Sequence, residues 1–359
     1  MSDESRVKQL LDRSFDALLP LLAVPLAFLI GAVILMVMDV DPIAAYGVLI
    51  TGAFGDVSGI TQTLVRTTPL LLVGLGIVIA FRGGVLNIGG EGQLVMGAIA
   101  TTVLVLSLPT WPGWILMILA MLAGAAAGAF WGFIPGLLRA RLGVSENLST
   151  IMMNAIAAQF ANFLLAGPLM DPLQRELGSF LPESARIPRS VWLYRPIPQS
   201  SLHIGFFIAL IFAILVYIFL WRTSIGYRIR AVGLNPAASR YAGINVPYYE
   251  ALALTLGGMF AGLAGSFEVL GVHHKLLEYL SSGYGFSGIV VALFGKLHPL
   301  GAIPASILFG GLLVGGDKMQ RVVQVPSALI TTISGLVVLF VVSSVIFTER
   351  RARRRKIHG

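Results

Sequence analysis

Cysteine is absent from this 359-residue chain, which removes disulfides, thiolate metal sites and cysteine nucleophiles in any compartment. Charge is scarce as well: 12% of residues are charged against 56% hydrophobic, and mean hydropathy is +0.86. A soluble domain carries roughly twice that share of charge to cover its surface. Lipid is therefore the solvent this composition fits. The motifs of phosphate and nucleophile chemistry are missing too. No G-x-x-x-x-G-K-S/T loop occurs, and the nearest approach, Gly288 to Lys296, has the wrong spacing and ends in Leu297. There is no G-x-S-x-G elbow and no Ser/His/Asp order. ATP hydrolysis and covalent catalysis are not expected of this chain, nor is a bound cofactor. The net charge of +8 would suggest nucleic acid in a soluble protein. Here Lys and Arg serve topology first, and nucleic acid is not expected as a partner.

What the chain does have is long apolar runs. They fall at 17–38, 67–82, 91–107, 113–138, 148–166, 202–221, 250–270, 284–295, 298–316 and 326–347. At roughly 20 residues per crossing, they predict an all-α polytopic membrane protein of about ten transmembrane helices. The first run is too long for a signal-peptide core and is expected to be retained. Gly295, Pro299, Gly301 and Pro304 interrupt the 284–316 region, where half-helices or a re-entrant pair are expected. With the N-terminus inside, the alternating loops hold roughly twice as many Lys and Arg inside as outside, the bias expected of membrane proteins. An even count also allows two inverted five-helix halves. The resulting organisation is a cytoplasmic segment 1–16, a membrane domain 17–347 and a basic cytoplasmic tail 348–359 that anchors on acidic lipid headgroups. Loops 39–66 and 167–201 lie outside, either as simple connections or as short interfacial helices that receive a docking protein. Loop 222–249 lies inside, where arginines surround a small-residue stretch, Ala231 to Gly243, that reads as a short helix.

Polar groups inside apolar runs are costly, so they mark candidates for function. The segment RGGVLNIGGEGQLVMG (82–97) sets Asn87, Glu91 and Gln93 among glycines. It reads either as a broken helix whose exposed ends coordinate a solute, or as an inside turn with Glu91 as an early-turn carboxylate of the next helix. In the fifth run Asn147, Asn154, Gln159 and Asn162 punctuate apolar sequence, with Asn147 and Asn154 two turns apart on one face. These amides suit interhelical hydrogen bonds or a solute carrying hydroxyls and a heterocycle. Glu268, His273, His274, Lys275 and Glu278 cluster where the seventh run ends, but without metal-ligand spacing, so no metal is expected. Asn87, Glu91, Gln93, Asn154 and Glu268 are the candidate translocation residues.

Four stretches, FRGGVLNIGGEGQLVMGAIA (81–100), IPGLLRARLGVSENLSTIMMNAIA (134–157), GYRIRAVGLNPAASRYAGINV (226–246) and GFSGIVVALFGKLHPLGAIPASILFGGL (285–312), together resemble permeases of bacterial ABC importers. The branch is the one shared by branched-chain amino acid, simple-sugar and nucleoside systems. The phrase N-I-G-G-E-G-Q at 87–93 and the long segment before residue 66 are most similar to the larger permease of nucleoside importers that use a BMP-type lipoprotein receptor. The resemblance implies an inner-membrane assembly of two permeases, the second a different chain, with an ABC ATPase inside and a solute-binding lipoprotein outside. The ATPase is often a tandem-cassette chain, and ATP binds there. It further implies that 231–243 is the coupling helix, with Gly233, Leu234, Asn235, Ala238 and Gly243 on the family pattern. A nucleoside is the expected solute. A ribose- or galactose-type sugar permease is the alternative, and an ion-coupled secondary transporter a more remote one.

Overall fold

The computed structural model describes residues 25–343 except 177, 179–181, 198, 327–328, 330–331, 333–334, 337–338 and 341–342. The expected segment 1–16, the tail 348–359, and most of the run 326–347 therefore lie outside the described residues. Those described are almost entirely helical, and pairing between extended segments is limited to the isolated bridges Met170–Ser184 and Glu183–Leu277.

Among the described residues, seven helices are long and apolar enough to cross a membrane, against the about ten expected for the whole chain. They are α3 (Val57–Arg82), α4 (Gly90–Ser107), α5 (Gly113–Leu142), α6 (Glu146–Ala166), α8 (Gly205–Arg222), α11 (Val246–Phe267, continued by a π-turn to His273) and α13 (Pro299–Val323). Three apolar helices are shorter: α1 (Pro25–Val37), α2 (Pro42–Phe54) and α12 (Tyr284–Phe294). The short α7 (Pro172–Glu176), α9 (Ser224–Leu234) and α10 (Pro236–Tyr241) complete the set used here. Two expectations sharpen. The stretch 39–66, expected as a simple connection or as short helices, is largely α2 plus the first turns of α3, because Asp41 caps α2 through Ile43 N (2.8 Å) with Pro42 as its first residue. The expected interruption falls between α12 and α13, at 295–298 with Pro299 as the first residue of α13, whereas Pro304 lies inside α13 and does not end it.

The chain divides into two units, Thr61–Gly310 and a smaller one on either side of it in sequence. In the smaller unit α1 and α2 meet through Phe28 and Tyr46, whose rings stack edge to face at 5.0 Å while the Tyr46 hydroxyl donates to the Phe28 carbonyl. Lys318 pairs there with Asp56 at 3.5 Å.

In the larger unit α11 is the hub, packed on α5 and α4. Glycines recur every fourth residue of α5 (Gly124, Gly128, Gly132, Gly136), and the seam leaves no room for side chains. A Cβ on Gly262 would lie 2.3 Å from the Gly124 carbonyl, and one on Gly258 2.2 Å from that of Gly128. With no hydrophobic drive between helices in lipid, this close backbone contact is what holds them. α3 is nearly sheathed, with Leu70 to Val73 and Ile77 to Ala80 at 0–1% exposure. α5 and α6 instead present Leu122, Phe130, Ile156 and Phe163 outward, as a lipid-facing or partner-facing surface would. Between α6 and α8 the chain forms a cap over the π-turn, through Leu193 N to Leu270 O (3.0 Å), Ile187 N to His274 O (2.9 Å) and Ser184 N to Leu276 O (3.0 Å).

Candidate translocation site and coupling segment

α3 ends at a left-handed Gly84 (φ +78°), and Val85 N bonds back to Ala80 O (3.1 Å). The following residues, 85–89, form a non-helical connection with Val85, Asn87 and Gly89 buried before α4 begins at Gly90. Buried backbone outside a helix has no water to satisfy it, so its partners can be traced one by one. Leu86 N reaches Glu146 Oε1 (3.5 Å), the Ile88 carbonyl accepts from Asn154 Nδ2 (2.9 Å), and Gly89 N donates to Asn87 Oδ1 (3.0 Å). Asn154 Oδ1 also accepts from Gly92 N (2.8 Å), so one amide clamps both sides of the helix start. Glu146, Asn154 and, between them, Thr150, which packs against Gly89, are four residues apart and share one face of α6.

Asn87 and Gln93 form a reciprocal amide pair, Asn87 Nδ2 to Gln93 Oε1 at 3.0 Å and Gln93 Nε2 to Asn87 Oδ1 at 3.1 Å, each residue 1% exposed. Glu91 points elsewhere: its Oε1 accepts from Gly285 N (2.8 Å) and Phe286 N (3.4 Å), the first amides of α12. Of the five candidate residues, then, Asn87, Glu91, Gln93 and Asn154 gather around the connection between α3 and α4. Glu268 does not join them. It is buried in the π-turn against His273 Nε2 at 3.3 Å. The other amides also separate. Asn147 Oδ1 is buried without a hydrogen-bond partner among the described residues, and Asn162 lines a cleft with Ala98, Ala158 and residues 276–281. α3 and α4 are each long enough to span, and Glu91 sits in the first turn of α4, which is the arrangement of the turn reading; the polar groups of this connection are spent largely on one another and on neighbouring backbone.

The segment expected to couple is built from successive caps. Thr223 Oγ1 accepts from Gly226 N to start α9, Asn235 Oδ1 accepts from Ala238 N (3.0 Å) to start α10, and Asn245 Oδ1 accepts from Tyr248 N (3.2 Å) to start α11. The single helix read at 231–243 is thus the end of α9 plus α10, turned at Asn235. Left-handed Gly243 (φ +77°) closes α10, with Ile244 N returning to Ser239 O. Leu234 and Tyr241 stand 83% and 96% exposed, apolar groups offered outward. Gly233 lies so close to α3 that a Cβ there would sit 2.1 Å from the Arg82 carbonyl.

Three charged residues that the sequence offered only as topology markers or helix-end charges join these parts. Arg139, in the last turn of α5, ion-pairs with Glu146 at the start of α6 and with Glu250 (3.1 Å) in the first turns of α11. Arg82 donates to the Leu297 and Lys296 carbonyls (2.8 and 3.3 Å) and, with Arg230, sits on the Trp221 ring at 5.4 and 5.2 Å. His298, tilted over Trp221 at 5.0 Å, is held below its usual pKa, first by burial and then by Arg82. Their signal in the sequence was placement at helix ends, which any solvated charge shares. Among the described residues no cluster of His, Asp and Glu suited to a metal is present.

The long apolar helices make this a multi-pass helical membrane protein, and family comparison makes its class specific. Residues 59–342 match the family described as the permease component of the branched-chain amino acid transport system, and the chain belongs to that family. It is 38% identical to a guanosine ABC transporter permease of Bacillus subtilis over 91% of this chain and 93% of that one. A glucose ABC transporter permease of Haloferax volcanii is 34% identical over 92% of this chain and 88% of its own. A nucleoside ABC transporter permease of Lactococcus lactis is 34% identical over 92% of each. The protein is an ABC transporter permease.

Proposed function

We propose that this chain forms half of the path of a nucleoside importer in the inner membrane, with both termini inside and about ten membrane-embedded helices in two halves of opposite entry. The observation that carries the solute assignment is the likeness, over nearly the full chain, to permeases named for guanosine and for nucleosides. The similar glucose permease makes a sugar the second reading. The path runs beside the stapled segment 85–93, with Asn87, Glu91, Gln93 and Asn154 shaping its wall and Glu268 supporting the π-turn above.

Residues 233–243 dock on a separate ATPase, which binds and hydrolyses the ATP. A solute-binding lipoprotein docks on the opposite side, and a second, different permease completes the path. Exposed Leu234 and Tyr241 beside a capped α10 support the ATPase side, since apolar anchors on a short rigid helix suit a cleft. The ATPase must bind this segment unequally in the two states, or ATP could not bias them.

Uptake of radiolabelled guanosine and ribose is the test, in cells producing the chain with its ATPase, second permease and binding protein. ATPase-dependent uptake competed by nucleosides and not by ribose or galactose is expected. Competition by sugars alone moves the chain to the sugar reading. Uptake that survives loss of the ATPase and collapses with an uncoupler refutes the proposal.

A further inference from the structure

α12 is about 16 Å long, too short to cross a bilayer. Its two ends are held by side chains that bracket one stretch of chain, the connecting segment 83–89. Glu91, just after that segment, accepts from Gly285 N and Phe286 N at the N-terminus of α12. Arg82, just before it, donates to the Lys296 and Leu297 carbonyls in the turn that follows α12. Between the two ends the contact is smooth. Gly285 meets the Glu91 backbone at a distance that would put a Cβ 2.2 Å from its nitrogen, and Gly288 lies against Val73 and Gly74 of α3.

The turns on either side of α12 are both left-handed. Tyr279 (φ +56°), Ser282 (+46°) and Gly283 (+81°) precede it, and Lys296 (+54°) and Leu297 (+52°) follow. Such backbone is unfavourable for residues with a Cβ and persists where surrounding contacts hold it. At Lys296 and Leu297 the turn is closed by backbone bonds to Leu293 O and Ala292 O (2.9 and 2.8 Å), and the Arg82 guanidinium binds the carbonyls of both residues. The carbonyl of the same arginine is the atom on which Gly233 packs, so a displacement of the coupling segment reaches the turn after α12 through one residue.

We infer that α12 is the moving element of the path, and that Arg82 and Glu91 are the positioning residues that hold its two ends. Release of either end lets α12 swing about its flanking left-handed turns. The inference rests on the importer reading, because it takes motion at 233–243 to be driven by ATP.

Absence of cysteine makes a clean test possible, because one introduced thiol is a unique reporter. Phe286, at the latched end of α12, is 52% exposed and suits Phe286→Cys. In the assembled importer in proteoliposomes, the rate of reporter alkylation by a charged maleimide is measured without nucleotide and trapped with ATP and vanadate. A change of about tenfold between the states is expected, the scale set by losing one hydrogen bond. Glu91→Ala should move the nucleotide-free rate toward the trapped one. Glu91→Gln keeps an acceptor oxygen and should stay within about twofold of the native residue. Arg82→Gln should let the ATPase turn over while uptake is lost.

A reporter rate unmoved by nucleotide, in an importer whose uptake is intact, overturns the inference. So does Glu91→Gln behaving like Glu91→Ala, which would give Glu91 a role for its charge rather than its acceptor. Should Glu91→Ala fail to accumulate, the nucleotide dependence of the reporter in the otherwise native chain decides alone. Native uptake is measured first, and if it does not depend on the ATPase, the importer reading fails and the inference with it.

Discussion

The Asn87–Gln93 pair allows its worth as a staple to be separated from any contact with solute. Gln93→Leu leaves Asn87 Nδ2 without its partner in a site 1% exposed, where water does not substitute. An unpaired buried polar group costs about 1–3 kcal/mol, and measured hydrogen bonds between membrane helices are weaker, averaging about 0.6 kcal/mol. A cost of about 2 kcal/mol is expected. Asn87→Leu should cost more, about 3 kcal/mol, because Asn87 Oδ1 also holds Gly89 N. The double variant removes both amides and leaves only Gly89 N unsatisfied, so its cost should be about 2 kcal/mol rather than the sum. Unfolding of the purified chain in graded SDS measures all four corners of the cycle. Additive costs, with a coupling below about 0.5 kcal/mol, would refute the staple. Uptake by the double variant then reports separately: stability recovered with uptake lost assigns the pair to the path wall, and uptake retained assigns it to folding alone.

Three further outcomes follow from contacts already described. Gly262→Ala drives a methyl toward the Gly124 carbonyl and should destabilise the chain by about 2 kcal/mol, read as a lower unfolding midpoint in SDS. Asn235→Ala removes the cap of α10 and should weaken ATPase binding several-fold, whereas Asn235→Asp, which caps equally well, should not; co-purification of the ATPase measures it. His274, stacked on Trp192 at 3.6 Å, has its pKa pushed from 6.5 down to about 4 by burial first, and then by Arg195, Arg186 and His273. The folded imidazole stays neutral where the unfolded one takes a proton, so stability is complete above pH 6.5 and is lost as pH falls toward 4. Unfolding midpoints between pH 7.5 and 5 should show this slope, and His274→Gln should flatten it.

The membrane class and most of the long helices were legible in the sequence because hydropathy integrates over about 20 residues and tolerates local error. α2 was one of two options for 39–66, because Pro42, Gly47 and Gly55 suit turns until Asp41 and Pro42 are seen acting together as a helix start. The polar cluster at 87–93 was recognisable from cost alone, since amides amid apolar residues need a reason. The grouping was not. Asn154 lies 62 residues from Gly92, and the partners of Glu91 are backbone amides that carry no sequence signature. Asn147 shows the limit of periodicity: seven residues from Asn154 suggested a shared role, but spacing of four, through Glu146 and Thr150, fixed the face that meets the segment. Glu268 was singled out for the same cost, and the structure answers it with a histidine five residues on instead of with the amide cluster.

The connecting segment 85–89 also bears on how the chain is synthesised. Part of its backbone is satisfied by Glu146 and Asn154, which leave the ribosome about 60 residues later, and α4 starts on a carboxylate whose partners lie 194 residues further on. At about 5–20 residues per second, the first wait is roughly 3–12 s and the second roughly 10–40 s. Through both, a stretch with open amides cannot enter lipid alone. Newly made α3 and α4 must then be kept at the translocon, or at its water-filled edge, until α6 arrives. Insertion of this protein is thereby a deferred assembly of helix groups rather than a release of one span at a time.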